Sequence, residues 1–177
     1  MSETLTIEYA LLGFLRQQPM HGYEIHQQLT DSHGLGLVWH IKQSQLYALL
    51  SKLEQQGYIS VILEPQDSRP TRKVFHLTEL GQILFLEWVQ SPVPQGHKLR
   101  LDFLAKLYFA HREASPLTQY LLTQQQQACQ QWLITEQARA HALAPQQQFE
   151  QLVHQFRLGQ LQAMLTWLAH CQETLLP

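Results

Sequence analysis

A stripe of leucines that ends at a glycine constrains the fold of this chain more than any other feature. The leucines follow the spacing i, i+3, i+4 and i+7, at Leu46, Leu49, Leu50 and Leu53. This spacing places all of them on one side of an α-helix, and that side must be buried. Gly57 then stands where a left-handed C-terminal cap belongs. The pattern predicts an amphipathic helix over about residues 44–56.

Two shorter helical patterns precede this helix. Apolar side chains recur at helical spacing in residues 7–17 and again in residues 21–29, and Pro19 separates the two segments. The beginning of the chain therefore predicts three short helices in succession.

Two strand patterns follow the third helix. Residues 58–64 are rich in β-branched side chains, and residues 72–77 form a second strand pattern beyond a polar loop that Pro65 and Pro70 bound. Thr78 is a candidate N-cap for a fourth helix. Three helices and then a hairpin is the order of elements in a winged helix.

The side of the third helix opposite the leucines is small and polar, as a helix must be if it enters a DNA major groove about 12 Å wide. It carries Ser44, Tyr47, Ala48, Ser51 and Gln55, with Gln45 and Lys52 flanking. Base edges are usually met by the N-terminal part of a recognition helix, which favours Ser44 and Gln45 for base contacts and Tyr47 and Lys52 for phosphate. An ordinary solvated helix face is the alternative interpretation.

Cations gather in the hairpin, at Arg69, Arg72 and Lys73. A wing beside a DNA groove needs such side chains to reach phosphates or a narrow minor groove. A charged hairpin that only keeps an edge strand soluble would look similar. The combination of both features at this separation favours DNA binding, with the wing at residues 64–73.

The segment 91–96 is rich in proline and glycine and is the best candidate for a domain boundary. It predicts a winged helix-turn-helix domain over residues 1–91 and an α-helical domain over residues 97–177. The fold class that follows is mainly α with a small β-hairpin.

The second half of the chain predicts three helices. The first covers residues 99–111, the second begins with Ser115 as cap and Pro116 at the first helical position, and the third begins at Pro145. Two apolar stripes on the last helix exceed what one intramolecular neighbour covers, which predicts a dimerisation domain. The candidate dimerisation residues are Leu117, Leu121, Trp132, Phe149, Phe156 and Trp167. A monomeric helical domain that stacks on the winged helix is the alternative.

The overall composition limits the classes of protein that are possible but does not identify one. The chain is 45 % hydrophobic with a net charge of −2, and residues 1–90 hold six basic against nine acidic residues. This balance argues mildly against DNA binding, so the case depends on where the cations lie. The absence of a long apolar run or a secretion signal predicts a cytoplasmic protein. Cys129 and Cys171 are interpreted as small buried hydrophobes.

Signals of catalysis or metal binding do not stand out. Neither the histidines nor the cysteines have the tight spacing of zinc ligands, and no phosphate loop or nucleophile motif is present. We therefore expect no enzyme, no metal and no resident cofactor. A small-molecule effector remains open, because tryptophans suit a planar ligand in a cavity between the domains, namely Trp39, Trp88, Trp132 and Trp167.

Three segments resemble the DNA-binding domain of the PadR-like transcription regulators. They are YALLGFLRQQPMHGYEIHQQL, QSQLYALLSKLEQQGYISV and RPTRKVFHLTELG, within a resemblance from Tyr9 to Trp88 that covers about half the chain. The segment LRLDFLAKLYFAH and the two helical patterns after it are similar to the longer, AphA-like branch of that family.

The resemblance implies a homodimer with interlocked C-terminal helices, an inverted-repeat operator and often an effector that alters DNA affinity. Carried over by position, it implies that Lys42 joins Gln45 and Tyr47 on the recognition helix. His21 and Tyr23 would open the second helix near the DNA backbone.

Together these observations predict a sequence-specific DNA-binding regulator, a repressor or an activator, that acts as a homodimer. The recognition helix at about 44–56 would enter the major groove, and the wing at 64–73 would contact the backbone or the minor groove. A winged helix used as a protein-interaction module is the second hypothesis, because the first half of the chain is acidic overall.

Overall fold

The computed structural model describes residues 6–39, 41–66 and 69–176. In these residues the elements are, in chain order, α1 (Thr6–Gln17), β1 (Met20–His21), α2 (Gly22–Thr30), α3 (Gln43–Gln55), β2 (Ile59–Gln66), β3 (Arg69–Leu77), α4 (Glu79–Gln90), α5 (Asp102–Glu113), α6 (Ser115–His141) and α7 (Gln148–Leu175). Short 3-10 turns lie at Leu35–Leu37 and Gly96–Arg100. The mainly helical winged-helix fold class is confirmed.

The predicted third helix is α3, and its end is built as the sequence indicates. Gly57 has φ +76°, in the left-handed region that a Cβ disfavours. The Tyr58 N–H donates to the Leu53 carbonyl and the Gly57 N–H donates to the Glu54 carbonyl, both at 3.0 Å. This pair of bonds is the Schellman motif, which satisfies carbonyls left open at a helix C-terminus. The predicted glycine cap is confirmed.

The small sheet has the order β1-β3-β2, with antiparallel pairs throughout. The hairpin strands are longer than predicted, because pairing continues past Glu64 to the pair Gln66 and Arg69. The register shifts between Glu64 and Gln66, around Pro65, which has no N–H to give to the ladder. β1 was not predicted, since two residues are too few to show an alternating pattern.

One hydroxyl joins three elements behind the hairpin. Thr78 Oγ1 accepts the Gly81 N–H at 3.1 Å, which confirms Thr78 as the cap of α4. The same hydroxyl donates to the Gly57 carbonyl at 2.7 Å. The end of α3, the end of β3 and the start of α4 are therefore tied at a single side chain.

The chain divides into two compact units, described separately below. Unit 1 comprises the described residues of Met1–Val89 and Arg100–Phe109, and unit 2 those of Gln90–Leu99 and Ala110–Pro177. The core of unit 1 holds the stripes of α1, α2 and α3 and a group of aromatic rings. Phe109 meets Phe14 and Phe85 edge-on, with centroids 5.3 and 5.5 Å apart. The boundaries at residues 91 and 97 stay a prediction.

Unit 2 is built on α6 and α7, which pack as an antiparallel hairpin. Gln126 Nε2 donates to Gln172 Oε1 at 3.1 Å near one end of the pair. Leu121, Cys129, Leu168 and Cys171 are buried. Burial raises the pKa of both cysteine thiols, so they stay protonated and unreactive at neutral pH. Their interpretation as small buried hydrophobes is confirmed.

Two helix starts in unit 2 differ from prediction. Ala114, with φ −169° and ψ 151°, is the extended N-cap residue of α6, so Ser115 already lies inside the helix and Pro116 follows it. α7 begins at Gln148 rather than Pro145. The Gln147 side chain accepts the Ala144 N–H at 2.9 Å and holds a turn that the apolar pattern could not reveal. Within the described part of the chain, no helix has both the length and the apolar character to cross a bilayer.

Candidate nucleic-acid interface

The side of α3 opposite the leucines is open to solvent. Leu46, Leu50 and Leu53 are fully buried and Leu49 is half-buried. The outward positions are all exposed, namely Ser44, Gln45, Tyr47, Ala48 and Ser51. The sequence therefore assigned the two sides of this helix correctly, because leucine spacing alone decides which side faces the core.

Gln45 also helps to cap the N-terminus of α3. Its Oε1 accepts the Lys42 backbone N–H at 3.2 Å, in the manner of the third residue in a capping box. Lys42 is exposed beside it, just before the helix begins. The N-terminal end of α3 therefore presents a lysine, an amide and the positive end of the helix dipole on one side.

Tyr47 connects α3 to the start of α2. A Cβ on Gly22 would lie 2.7 Å from Tyr47 Cε1 and 2.9 Å from Tyr47 Cζ and Oη. The Tyr47 ring therefore lies directly against the backbone of α2, and only glycine permits this approach. The Tyr47 side chain is still 42 % exposed, so its other side is open.

His21 and Tyr23 lie on either side of this glycine and join the wing. Their rings are stacked, with centroids 5.5 Å apart and planes 13° apart. Arg72 Cζ on β3 lies 5.8 Å from the centroid of the Tyr23 ring, within range of a cation–π contact. His21 Nδ1 donates to the Lys73 carbonyl at 3.1 Å. α2 and the wing are thus linked by side-chain contacts as well as by β1.

We name the α3–wing surface by its members, which are Lys42, the exposed residues Ser44, Gln45, Tyr47, Ala48 and Ser51 of α3, and Tyr23, Arg72 and Lys73. Arg72 and Lys73 are exposed on β3. The side chain of Arg69 lies outside the described part of the structure. Glu64 reduces the positive charge locally, since its Oε2 lies 3.9 Å from His21 Nε2. The contact chain from Tyr47 through Gly22 and Tyr23 to Arg72 makes the helix and the wing one continuous surface.

Lys52 is placed differently from the other cations. Its Nζ lies 2.6 Å from Glu8 Oε1 on α1, and the Glu8 side chain is fully buried. A phosphate could reach this ammonium only by competing with a buried carboxylate. The phosphate contact of Lys52 stays a prediction, which this ion pair within unit 1 disfavours. α1 and α3 form the pair from residues far apart in sequence.

The candidate dimerisation residues divide into two groups within unit 2. Leu121 is buried, and Leu117, Trp132 and Trp167 are half-buried, so these side chains already contribute to packing inside the unit. Three apolar residues on the first half of α7 are open to solvent. They are Phe149, Leu152 and Phe156, exposed by 74, 63 and 65 %. We call these three the α7 stripe.

A cavity of about 650 Å³ lies in unit 2. It is lined by Pro94, Gln95, Gly96, His97, Trp132, Thr135, Glu136, Arg139, Arg157, Gln160, Leu161 and Met164. Of the four tryptophans named as candidates for an effector cavity, Trp132 lines this one, whereas Trp88 stacks on Tyr9 in unit 1 with centroids 5.0 Å apart.

Glu136 is the acidic member of that lining and is buried beside basic groups. His154 Nδ1 donates to its Oε1 at 2.8 Å. The Nη1 atoms of Arg139 and Arg157 each lie 3.7 Å from a Glu136 oxygen. Sequence reasoning missed this cluster, because it forms across the α6–α7 hairpin between residues that no short motif connects. In the described part of the chain, no three His, Cys, Asp or Glu side chains group as metal ligands.

Comparison with known proteins agrees with the fold. Residues 11–87 match the model of the "Transcriptional regulator PadR-like family". The "Negative transcriptional regulator PadR" of Bacillus subtilis is 31 % identical over 115 residues, which are 63 % of this chain and 62 % of that protein. The matched part thus spans less than two thirds of that relative's length. This relative is a transcriptional regulator, the class of protein that the sequence predicts for this chain.

One solved structure of the same relative extends the likeness in fold to the C-terminal helices. The crystal structure of Bacillus subtilis PadR in complex with operator DNA has a TM-score of 0.50 at 24 % identity, over 98 % of this chain and 99 % of that one. Its structure with p-coumaric acid has a TM-score of 0.44 at 24 % identity, over 97 % and 99 %. Residues 11–87 of this chain therefore form a PadR-like domain, the part of the chain that the family model matches.

Proposed function

We propose that this protein is a sequence-specific DNA-binding transcriptional regulator that acts as a homodimer on an inverted-repeat operator. The observation that carries the proposal is the continuity of the α3–wing surface, from Tyr47 through Gly22 and Tyr23 to Arg72. A helix that enters a major groove needs its neighbouring wing on the same side, so that both reach one DNA duplex. The Bacillus subtilis relative bound to operator DNA has the same fold.

Two groups of side chains on the α3–wing surface suit different parts of DNA, the base edges and the phosphates. Ser44, Gln45 and Ala48 are small or carry an amide and suit base edges, where glutamine pairs with adenine through two hydrogen bonds. Lys42, Arg72 and Lys73 suit phosphates, as does the Tyr47 hydroxyl. Few phosphate contacts are available, since Lys52 already pairs with Glu8. We expect modest non-specific affinity and a shallow salt dependence.

A second copy of the chain is the partner that best suits the α7 stripe. Phe149, Leu152 and Phe156 follow helical spacing and are each more than 60 % exposed. An apolar row of this size on an isolated helix face is a typical oligomer interface. Two-fold symmetry would place two recognition helices about 34–36 Å apart, one turn of DNA, and so match an inverted repeat.

The direct test compares Arg72→Ala with Gln45→Glu on DNA from the region upstream of the protein's own gene. Arg72→Ala removes one cation from each subunit of the dimer, so it should weaken binding to all sequences similarly and make the slope of log affinity against log salt shallower by about two. Gln45→Glu keeps an acceptor for the Lys42 N–H and removes the amide donors, so preference should shift at one base pair, by about 1–3 kcal/mol. Gel shifts across a salt series measure both effects.

Three outcomes contradict this proposal. One is the absence of any saturable complex at low salt over the whole genomic neighbourhood. Another is a reversed pattern, with Arg72→Ala changing preference and Gln45→Glu leaving it unchanged. The third is recovery of a partner protein in pull-downs while wing substitutions affect no promoter, which favours the interaction-module hypothesis.

We also propose that the cavity in unit 2 binds an effector, a small aromatic carboxylate. Two arginines face the cavity against one glutamate, which leaves an excess of positive charge. Trp132, Leu161 and Met164 provide an apolar wall for a planar ring. A volume of about 650 Å³ suits a ligand of this size. p-Coumarate, which is bound in a structure of the Bacillus subtilis relative, is the probe we would use first.

Arg157→Gln should weaken p-coumarate binding about ten- to hundredfold, the range expected when a charged hydrogen bond is lost. Operator affinity without the ligand should not change. Isothermal titration calorimetry measures the first effect and gel shifts measure the second. Arg100→Gln is the control, because Arg100 is an exposed arginine that does not line the cavity. Equal weakening by both variants, or no binding to the unmodified protein, would contradict the proposed site.

A further inference from the structure

The carboxylate of Glu8 is an unusual member of the unit 1 core. Glu8 lies on α1 with its side chain fully buried, and Lys52 Nζ on α3 lies 2.6 Å from its Oε1. The Lys52 side chain is 32 % exposed, so the lysine reaches inward from the edge of α3. Removing a carboxylate from water is costly unless a cation stays close to it. The pair is therefore an electrostatic link between one point on α1 and one point on α3.

The apolar contacts along the buried side of α3 are less specific in position than this ion pair. Leu46, Leu50 and Leu53 are fully buried, but hydrophobic contacts depend on the area removed from water and tolerate small rotations of a helix. Cores that keep only apolar burial lose a unique arrangement before they lose stability. Rotation of α3 about its axis would change the direction of the exposed Ser44 side chain and move Tyr47 away from its place against Gly22 of α2.

We infer that the Glu8–Lys52 pair is a positioning pair, which fixes the rotation of α3 about its own axis and so determines the side chains that DNA meets. This inference rests on the proposed DNA-binding function. Lys52 then affects operator recognition by fixing the rotation of α3 and makes no phosphate contact itself.

Two double variants of the full chain test the inference. Glu8→Leu with Lys52→Met replaces the pair by apolar side chains, a change that folded proteins often tolerate. Glu8→Gln with Lys52→Gln replaces the ion pair by two amides and provides the test if the apolar variant does not fold. Lys52→Arg keeps the charge and should rescue the wild-type behaviour. Lys42→Gln is the matched control, because Lys42 is an exposed lysine of the same surface.

The measurements are affinity for operator DNA and for unrelated DNA across a salt series, with circular dichroism to confirm folding. Each double variant should lose roughly tenfold in the ratio of the two affinities, about the effect of one lost base contact. Its salt slope should equal that of the wild type. Lys42→Gln should instead make the slope shallower by about two, one for each subunit of the dimer, and leave the ratio unchanged.

Two results would overturn the inference. A fall in salt slope with an unchanged ratio would make Lys52 a phosphate contact. A folded double variant with both quantities unchanged would make the pair a stabilising contact without a role in recognition. Failure of the proposed function is a separate result, since it would appear as the absence of operator binding in the wild type.

Discussion

Replacing both Phe149 and Phe156 by glutamate is expected to convert a dimer into a monomer and to weaken operator binding by at least about 100-fold. The two phenylalanines are 74 and 65 % exposed on α7, and a dimer interface would bury them. Charges placed opposite each other across a symmetric interface repel and remain unpaired in an apolar environment. A monomer then loses the second half-site, whose contribution exceeds that of any single contact.

Sedimentation equilibrium and gel shifts with a full inverted repeat measure the two effects together. Gln130→Glu with Gln162→Glu is the matched control, since both glutamines are exposed outside the α7 stripe and the charge change is the same. The control should stay dimeric and bind normally. A wild-type protein that sediments as a monomer, or a phenylalanine variant that stays dimeric, would show that the α7 stripe is not the interface.

Gly22→Ala is expected to weaken operator binding by roughly tenfold or more while the protein stays folded and dimeric. The added methyl would lie 2.7 Å from Tyr47 Cε1, so the ring must move. Tyr47 is a surface side chain that is 42 % exposed, so its displacement costs little stability. The displaced ring would then project into the space where a DNA backbone is expected.

A double variant separates this effect from a general loss of structure. In a Tyr47→Ala background, adding Gly22→Ala should cause no further loss of DNA affinity, because the clash partner is gone. Gly159→Ala is the control, since a Cβ there meets nothing within 4 Å. Fluorescence anisotropy with labelled operator measures all these affinities. An additive loss in the double variant would mean that Gly22 acts on binding independently of Tyr47.

The parts of the fold that could be read from sequence are those governed by local rules. The leucine spacing gave the buried side of α3, and Gly57 and Thr78 gave its end and the start of α4. Caps and periodicity depend on residues within one or two turns of each other, so one chain suffices to see them. The exposed positions of the proposed recognition helix followed from the same rules.

What sequence reasoning missed depends on contacts between distant segments. β1 exists because Met20 and His21 pair with β3, more than 50 residues later. The sequence of α3 alone shows no partner for the Lys52 ammonium, whereas the fold places Glu8 of α1 beside it. The buried Glu136 and its basic neighbours form only when α6 and α7 fold back together. Nothing local marks these residues, so their partners had to be seen in three dimensions.

Because the Thr78 hydroxyl donates to the Gly57 carbonyl, the two ends of α3 differ in how readily their residues can be substituted. At the C-terminal end, Gly57 is bonded both through its backbone and by that hydroxyl, so the helix there belongs to the rigid frame of the hairpin and α4. At the other end, the Gln45 side chain and the Lys42 N–H form the described cap, on an exposed surface. We therefore expect new operator preferences to arise by substitution at the N-terminal end of α3, while its C-terminal end keeps its position.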